Sequence, residues 1–212
     1  MKKCIIFCAG EFDSLTSPLS KDDLVIAADG GLLHTQVLGI TPDVVLGDFD
    51  SLGFVPEGAT VFPVEKDDPD SMLAVREGLS RGCREFLLYG CLDGKRLDHT
   101  VANFQTLQFL ADQGAWGYLI GKDYIVTVVK NGTLEFSPAA EGILSLFCMG
   151  SDARDVTLTG LHYPLENGTL TAGLPLGVSN HFTGNPATVT VKNGNLLAIW
   201  DRKNGFPTRK EA

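Results

Sequence analysis

Four strand-like runs in the amino-terminal half of this chain each give way to an acidic turn: AADGG at Ala27–Gly31, GDFDS at Gly47–Ser51, KDDPDS at Lys66–Ser71 and GKRLDH at Gly94–His99. The strand candidates, Cys4–Ala9, Leu24–Ala28, Asp43–Leu46, Thr60–Val64, Glu85–Tyr89 and Trp116–Ile120, are almost continuously apolar, as strands covered on both faces must be. Between them, Ser71–Leu79 puts Met72, Val75 and Leu79 on one helical face. His99–Gln113 does the same with Val101, Phe104, Leu107 and Ala111 before Gly114 ends it. Strands alternating with helices predict a mostly parallel, Rossmann-like α/β sheet. Open sheets of that kind bind ligands beyond the carboxyl ends of their strands, so the four turns are expected round one cleft. Two carboxylates about 5 Å apart repel by roughly 3 kcal/mol at an effective dielectric near 20. Such a cluster persists when something positive sits in it, and a divalent metal escorting a polyphosphate fits that description.

Beyond Lys122 the texture changes. Asn131-Gly132, Asn167-Gly168 and Asn193-Gly194 lie between strand-like segments, and Asn-Gly favours the positive backbone angles of a type I′ hairpin. Val126–Val129, Leu134–Phe136, Ile143–Phe147, Val156–Leu158, Thr169–Thr171, Ala187–Val191 and Leu196–Trp200 read as short antiparallel strands, with no helical period among them. The expectation is an α/β domain of residues 1–122 followed by a β-sandwich or jelly-roll-like domain of residues 123–212, with Pro207–Ala212 as a loose tail.

Bulk properties set limits on function. With 212 residues, 44% of them apolar, the chain can bury a sizeable core. A net charge of −9 argues against a general nucleic-acid-binding face. The five cysteines are scattered without CxxC spacing, so neither zinc nor a disulfide framework is expected. Met1-Lys2-Lys3 and the apolar Cys4–Ala9 are too short for a secretory leader and are followed by Glu11 and Asp13. No run approaches a membrane span, and the chain reads as cytoplasmic.

Each acidic turn has a plain structural reading beside the chemical one. Asp29 with Gly30 and Gly31 is either a tight strand–helix turn or a place where backbone approaches a nucleotide. In GDFDS, Asp48 and Asp50 would point the same way from an extended segment and offer hard oxygen ligands for Mg²⁺, with Ser51 beside them. In KDDPDS, Asp68 as N-cap, Pro69 at the first helical position and Asp70 in the first turn make a good helix start, yet capping hardly explains Asp67, Asp68 and Asp70 together. Asp98 could cap the next helix, while Lys95 and Arg96 just before it suit a polyphosphate with its metal. The Gly90–Lys95 segment is not a Walker A loop. His34 reads as a surface or packing residue, and His162, Tyr163 and Trp200 as core aromatics of β segments.

Taken in order, ADGG, GDFDS, KDxxD, GxxxGKRLDH with Asn103 after it, and the late pair Ser179-Asn180 resemble the thiamine pyrophosphokinase family from Ile5 to Trp200, as does GLHYPL at Gly160–Leu165. The resemblance implies a Mg²⁺-dependent homodimer that transfers pyrophosphate from ATP to thiamine, with its thiamine site between subunits. It further implies that Asp48, Asp50 and Asp70 hold metal and phosphates, and that Asp29, Gly30, Gly31, Ser51, Asp67 and Lys95 serve the nucleotide. Arg96 would meet phosphate, Asp98 would lie near the reacting hydroxyl or the metal, and Ser179 and Asn180 would contact thiamine. The chain departs from the family pattern in a GxxxGKR turn one residue longer, in Pro69 where threonine is usual, and in His181 after the SN pair. Two rival readings are a DxD-dependent nucleotide-sugar glycosyltransferase and a catalytically silent nucleotide-binding module. The glycosyltransferase reading leaves RLDH and the SN pair unexplained.

Overall fold

In the computed structural model, which describes residues 2–211, the chain divides at Lys122/Asp123 into two compact units. Met1 and Ala212, part of the short basic start and of the tail considered above, lie outside the described residues.

The first unit runs β1 (Lys3–Phe7), β2 (Leu24–Ala28), α1 (Gly31–Val37), β3 (Val44–Gly47), β4 (Thr60–Val61), α2 (Asp70–Ser80), β5 (Glu85–Tyr89), α3 (Leu97–Asp112) and β6 (Trp116–Ile120). Every pairing is parallel, in the order β6-β5-β1-β2-β3-β4. Continuous apolar sequence becomes continuous burial. Cys4, Ile5, Ile6, Phe7, Ile26, Phe86, Leu88 and Leu119 are all buried, each large side chain contributing about 1.5–3 kcal/mol by leaving water.

The buried helix faces share Val75 and Leu107 with those the apolar periodicity predicts but are otherwise rotated from them. On α2 the buried residues are Ser71, Ala74, Val75 and Gly78, with Met72 and Leu79 only half-buried. The reason is close approach: a Cβ on Gly78 would stand 2.5 Å from the Phe86 ring and 2.8 Å from Cys4 Sγ. Small residues therefore face the sheet and large ones flank the contact. On α3 the buried face is Asn103, Thr106, Leu107 and Leu110, while Val101 is exposed. Thr106 is satisfied within the helix, its hydroxyl donating to Ala102 O at 3.1 Å.

The second unit is antiparallel throughout: β7 (Tyr124–Phe136), β8 (Ile143–Cys148), β9 (Ala153–Thr159), β10 (Leu165–Leu170), β11 (Asn180–His181), β12 (Ala187–Asp201) and β13 (Thr208–Glu211). Its spine is the pairing of β7 with β12 along nearly their whole lengths. The far edge of β12 is shared, Thr188–Asn193 pairing with β9 and Leu196–Trp200 with β8.

None of the three Asn-Gly pairs is a hairpin. Each lies inside a strand, in β7, β10 and β12. Asn131 and Asn167 take left-handed φ values of 42° and 45°, and the register jumps between Val191 and Asn195 and between Leu165 and Gly168. The positive φ that suits a type I′ turn serves here for bulges. Nor is the carboxyl-terminal segment loose: β13 pairs with β7 from Thr208↔Glu135 to Glu211↔Gly132.

Candidate functional site

The direction in which the chain crosses the first sheet reverses between β1 and β5, the position at which open α/β sheets form a crevice. There the two exit loops run in contact, Cys8 N donating to Tyr89 O at 2.9 Å and Gly10 N to Gly90 O at 3.0 Å. A Cβ on Gly10 would lie 2.9 Å from Asp93 O and overlap Gly90 O, so only glycine fits. His34 Nε2 stands 2.8 Å from Gly10 O and its ring packs on Phe12. The sequence-level reading of His34 as surface or packing missed this hold on the loop. Around these loops opens a cleft of about 830 Å³.

β2 delivers Asp29, which is 7% exposed and has a left-handed φ of 48°. Its Oδ2 accepts a 2.5 Å hydrogen bond from Ser51 Oγ, while Oδ1 is buried without a hydrogen-bond partner among the described residues. Gly30 and Gly31 do not line the cleft. A Cβ on Gly30 would come within 2.9 Å of Ala9 Cβ, and one on Gly31 would overlap Phe7 O. These glycines let α1 pack on β1.

After β3, Phe49 takes φ 59° and is 2% exposed. Burying that ring turns Asp48 and Asp50 outward, and Asp50 N donates to Asp48 Oδ1 at 3.2 Å. The two carboxylates converge through a turn, not through the alternation of an extended segment. One oxygen from each of Asp29, Asp48 and Asp50 lies within 4.8 Å of the others.

The β4–α2 segment brings Lys66. Its Nζ lies 2.5 Å from Asp48 Oδ2 and 3.0 Å from Asp70 Oδ1. The Lys66 hydrogen bond holds the Asp48 carboxyl below its ordinary range. Burial pushes Asp70 up, with the Lys66 contact opposing it. Burial would lower Lys66, but the bonds to Asp48 and Asp70 carry its net shift upward. Pro69, not Asp68, occupies the N-cap of α2, and Asp70 opens the helix, where its charge complements the dipole. Asp68 instead accepts from Arg76 Nε at 2.7 Å. Ser71 Oγ donates to Asn103 Oδ1 and Asn103 Nδ2 to Cys91 O, both at 2.7 Å, tying α2, α3 and the β5 loop together.

At the start of α3, Arg96 grips Asp98 through Nε–Oδ1 at 2.9 Å and a second guanidinium nitrogen to Oδ2 at 2.6 Å. The Arg96 bond lowers the Asp98 carboxyl to about 2. Arg96, not Asp98, is the N-cap residue. Of the residues predicted from sequence, Asp29, Asp48, Asp70, Lys95 and Arg96 line the cleft. Asp50 and Ser51 join it through Asp48 and Asp29. Asp67 and Asp98 do not line it.

In the second unit, Asn180 is 4% exposed and its side chain is occupied. Nδ2 donates to Tyr163 O at 2.8 Å, while Oδ1 accepts from Tyr163 N and His181 N at 2.9 Å each. Ser179, with φ 58°, is exposed, and its N–H donates to Ser145 Oγ at 3.0 Å. His162 and Tyr163 are exposed and stack edge-on at 4.6 Å, contrary to the expectation of core aromatics. Trp200 is buried and donates to Gly205 O. All five cysteines are free thiols.

Two family models match the chain: "Thiamin pyrophosphokinase, catalytic domain" over residues 15–115 and "Thiamin pyrophosphokinase, vitamin B1 binding domain" over residues 133–196. A curated thiamine pyrophosphokinase of Bacillus subtilis (strain 168) is 28% identical over 194 residues, covering 87% of this chain and 90% of that protein. The crystal structure of the Bacillus subtilis thiamine pyrophosphokinase superposes with a TM-score of 0.83 at 26% identity, over 94% of this chain and 99% of the other. That of Geobacillus thermodenitrificans gives 0.77 at 25% identity over 95% and 97%. The yeast enzyme, at 16% identity and a TM-score of 0.64 over 94% and 86%, shares the fold.

Proposed function

We propose how this chain, which belongs to the thiamin pyrophosphokinase family, carries out that family's reaction, the transfer of pyrophosphate from ATP to the hydroxyl of thiamine with release of AMP. The observation that carries the reading is the convergence of one oxygen each from Asp29, Asp48 and Asp50 within 4.8 Å, and Asp29 also has a buried Oδ1 without a hydrogen-bond partner among the described residues. A hard, all-oxygen set of this kind fits Mg²⁺. Asp29, Asp48 and Asp50 would hold the ion in place of the expected Asp48, Asp50 and Asp70, since Asp70 is outside the converging set and pairs with Lys66. Once bound, the ion would neutralise charge on the phosphate oxygens.

The hydroxyl of thiamine attacks the β-phosphorus in line and gives its proton to solvent as the bond from that phosphorus to the AMP oxygen breaks. A transition state of this loose type asks the protein for positioning and charge more than for a strong base. Arg96 and Lys95 supply positive charge from the β5–α3 loop. Asp98, acidified by Arg96, is a poor base at neutral pH and serves to aim the guanidinium. The Ser71–Asn103–Cys91 chain keeps the loops in register.

The same reading assigns ATP and metal to the Rossmann-like first unit and thiamine to a sandwich-like second unit, in a cytoplasmic homodimer whose thiamine site lies between subunits. Resemblance supports these parts. No helix among the described residues is long and apolar enough to cross a membrane. Ser179 is the thiamine contact proposed there. Asn180, whose amide is already committed, acts by holding the Tyr163 loop.

The test is AMP release measured with and without thiamine and Mg²⁺. Asp48→Asn should lower turnover at least about a hundredfold, in line with losing a main charge-stabilising group, with little change in thermal midpoint. Full activity of that variant at saturating Mg²⁺, or AMP release independent of thiamine, would overturn the assignment.

A further inference from the structure

Lys66 has no part in the chemistry above, yet it touches two of the carboxylates on which that chemistry depends. We propose that Lys66 is a tethered counter-cation: its ammonium stabilises the acidic cluster of the nucleotide-free enzyme, and a divalent ion must displace it from Asp48 to bind. It would thus be a positioning residue that makes metal entry depend on nucleotide entry. The inference rests on the metal reading of the preceding section.

Three observations support it. First, Asp29, Asp48, Asp50 and Asp70 gather at one end of the sheet, and Lys66 is the ion-pair partner that both Asp48 and Asp70 have there. Its side chain is only 13% exposed, so solvent screens the contact weakly. Second, both oxygens of Asp48 are engaged, Oδ1 by Asp50 N and Oδ2 by Lys66 Nζ. The backbone bond belongs to the turn that buries Phe49, whereas Lys66 holds Oδ2 through four flexible methylenes from the segment between β4 and α2. Oδ2 is therefore the oxygen that can be given up. Third, a displaced ammonium needs a new anion. Asp70 holds it in place, and the cleft that would receive a polyphosphate is lined by Lys66 itself. Metal alone would strand the ammonium beside a dication, whereas metal with polyphosphate would not.

Lys66 could instead merely brace Asp48 in a ligating orientation, and that role predicts the opposite result. The experiment uses the full chain and measures Mn²⁺ binding by calorimetry and by electron paramagnetic resonance, with no nucleotide and then with a non-hydrolysable ATP analogue. Lys66→Met should bind Mn²⁺ without nucleotide at least about tenfold more tightly than wild type, because a nearby positive charge is gone. Its metal-free thermal midpoint should fall and recover on adding Mn²⁺. The analogue should tighten Mn²⁺ binding in wild type and in Lys66→Arg, and do so far less in Lys66→Met. If Lys66→Met does not fold, Lys66→Gln carries the same expectations. Unchanged or weaker Mn²⁺ binding by the neutral variant would overturn the proposal while leaving the metal site standing. Failure of wild type to bind Mn²⁺ even with the analogue would overturn the metal reading and this inference with it.

Discussion

Replacing Asn180 by leucine separates two roles that the sequence alone cannot distinguish. The change keeps shape and burial but deletes one donated and two accepted hydrogen bonds, all to the backbone of Tyr163 and His181. A typical net hydrogen bond contributes about 1 kcal/mol, and a buried group left unpaired costs about 1–3 kcal/mol. Tyr163 and His181 are exposed residues whose backbone groups can partly recover bonds to water, so the expected loss is about 2–4 kcal/mol. For a chain of this size that lowers the midpoint by at least about 4 °C, and by more if the second unit unfolds alone. Asn180→Asp keeps both accepted bonds but sets a carboxylate oxygen against Tyr163 O, so it should fall between wild type and leucine. Scanning calorimetry gives the stability, and initial rates against thiamine concentration give KM. If Asn180→Leu leaves the midpoint within about 1 °C of wild type yet raises KM for thiamine, Asn180 is a substrate contact and the bracing argument is wrong.

Two further outcomes test the packing and the charge arrangement. Gly78→Ala should destabilise by about 1–3 kcal/mol, because overpacking against Phe86 and Cys4 outweighs the better helix propensity; a gain in midpoint would contradict the close approach of α2 to the sheet. Asp98 should titrate near 2 in a carbon-13 carboxyl titration and return toward 3.8 in Arg96→Ala. Because the folded pKa is depressed, the stabilising contribution of Asp98 is present above 3.8 and fades as pH falls toward 2. An Asp98 that still titrates near 2 in the Arg96 variant would show that the guanidinium is not the cause.

The first unit was legible where its physics is local. Runs such as CIIF and LVIAA have no polar face to show solvent, so they had to be buried strands. Their acidic exits then followed them to one end of the sheet. The helices were less legible because the residues that decide their rotation are small or polar. Gly78 and Asn103 carry no apolar weight in a periodicity count, yet one allows contact with Phe86 and the other bonds Cys91 O. The Asn-Gly pairs misled for a related reason. A positive φ marks a local change of backbone course, but tertiary pairing decides whether it becomes a hairpin or a bulge in a strand of 13 or 15 residues. Lys66 and Asn180 stood inside the quoted motifs, but their partners are fixed by the fold.

The backbone around the carboxylates also argues that this end of the sheet is built for binding. Asp29 and Phe49, neither of them glycine, both hold left-handed φ values, a conformation that costs of order 1 kcal/mol or more per residue and persists only where surroundings enforce it. Enforcement is visible. Phe49 is locked by burial of its ring, and Gly47 lies so close beneath Asp29 that a Cβ there would come within 3.1 Å of the Asp29 Cα. A sheet selected for stability alone would gain by relaxing these turns and dispersing their charges. Here local strain, mutual repulsion of like charges and a buried oxygen without a partner all fall on the same few residues, Asp29, Asp48, Phe49 and Asp50. A cation bound between the carboxylates would offset the charge repulsion and satisfy the buried oxygen, and among the described residues Lys66 is the cation that already pairs with Asp48 and Asp70.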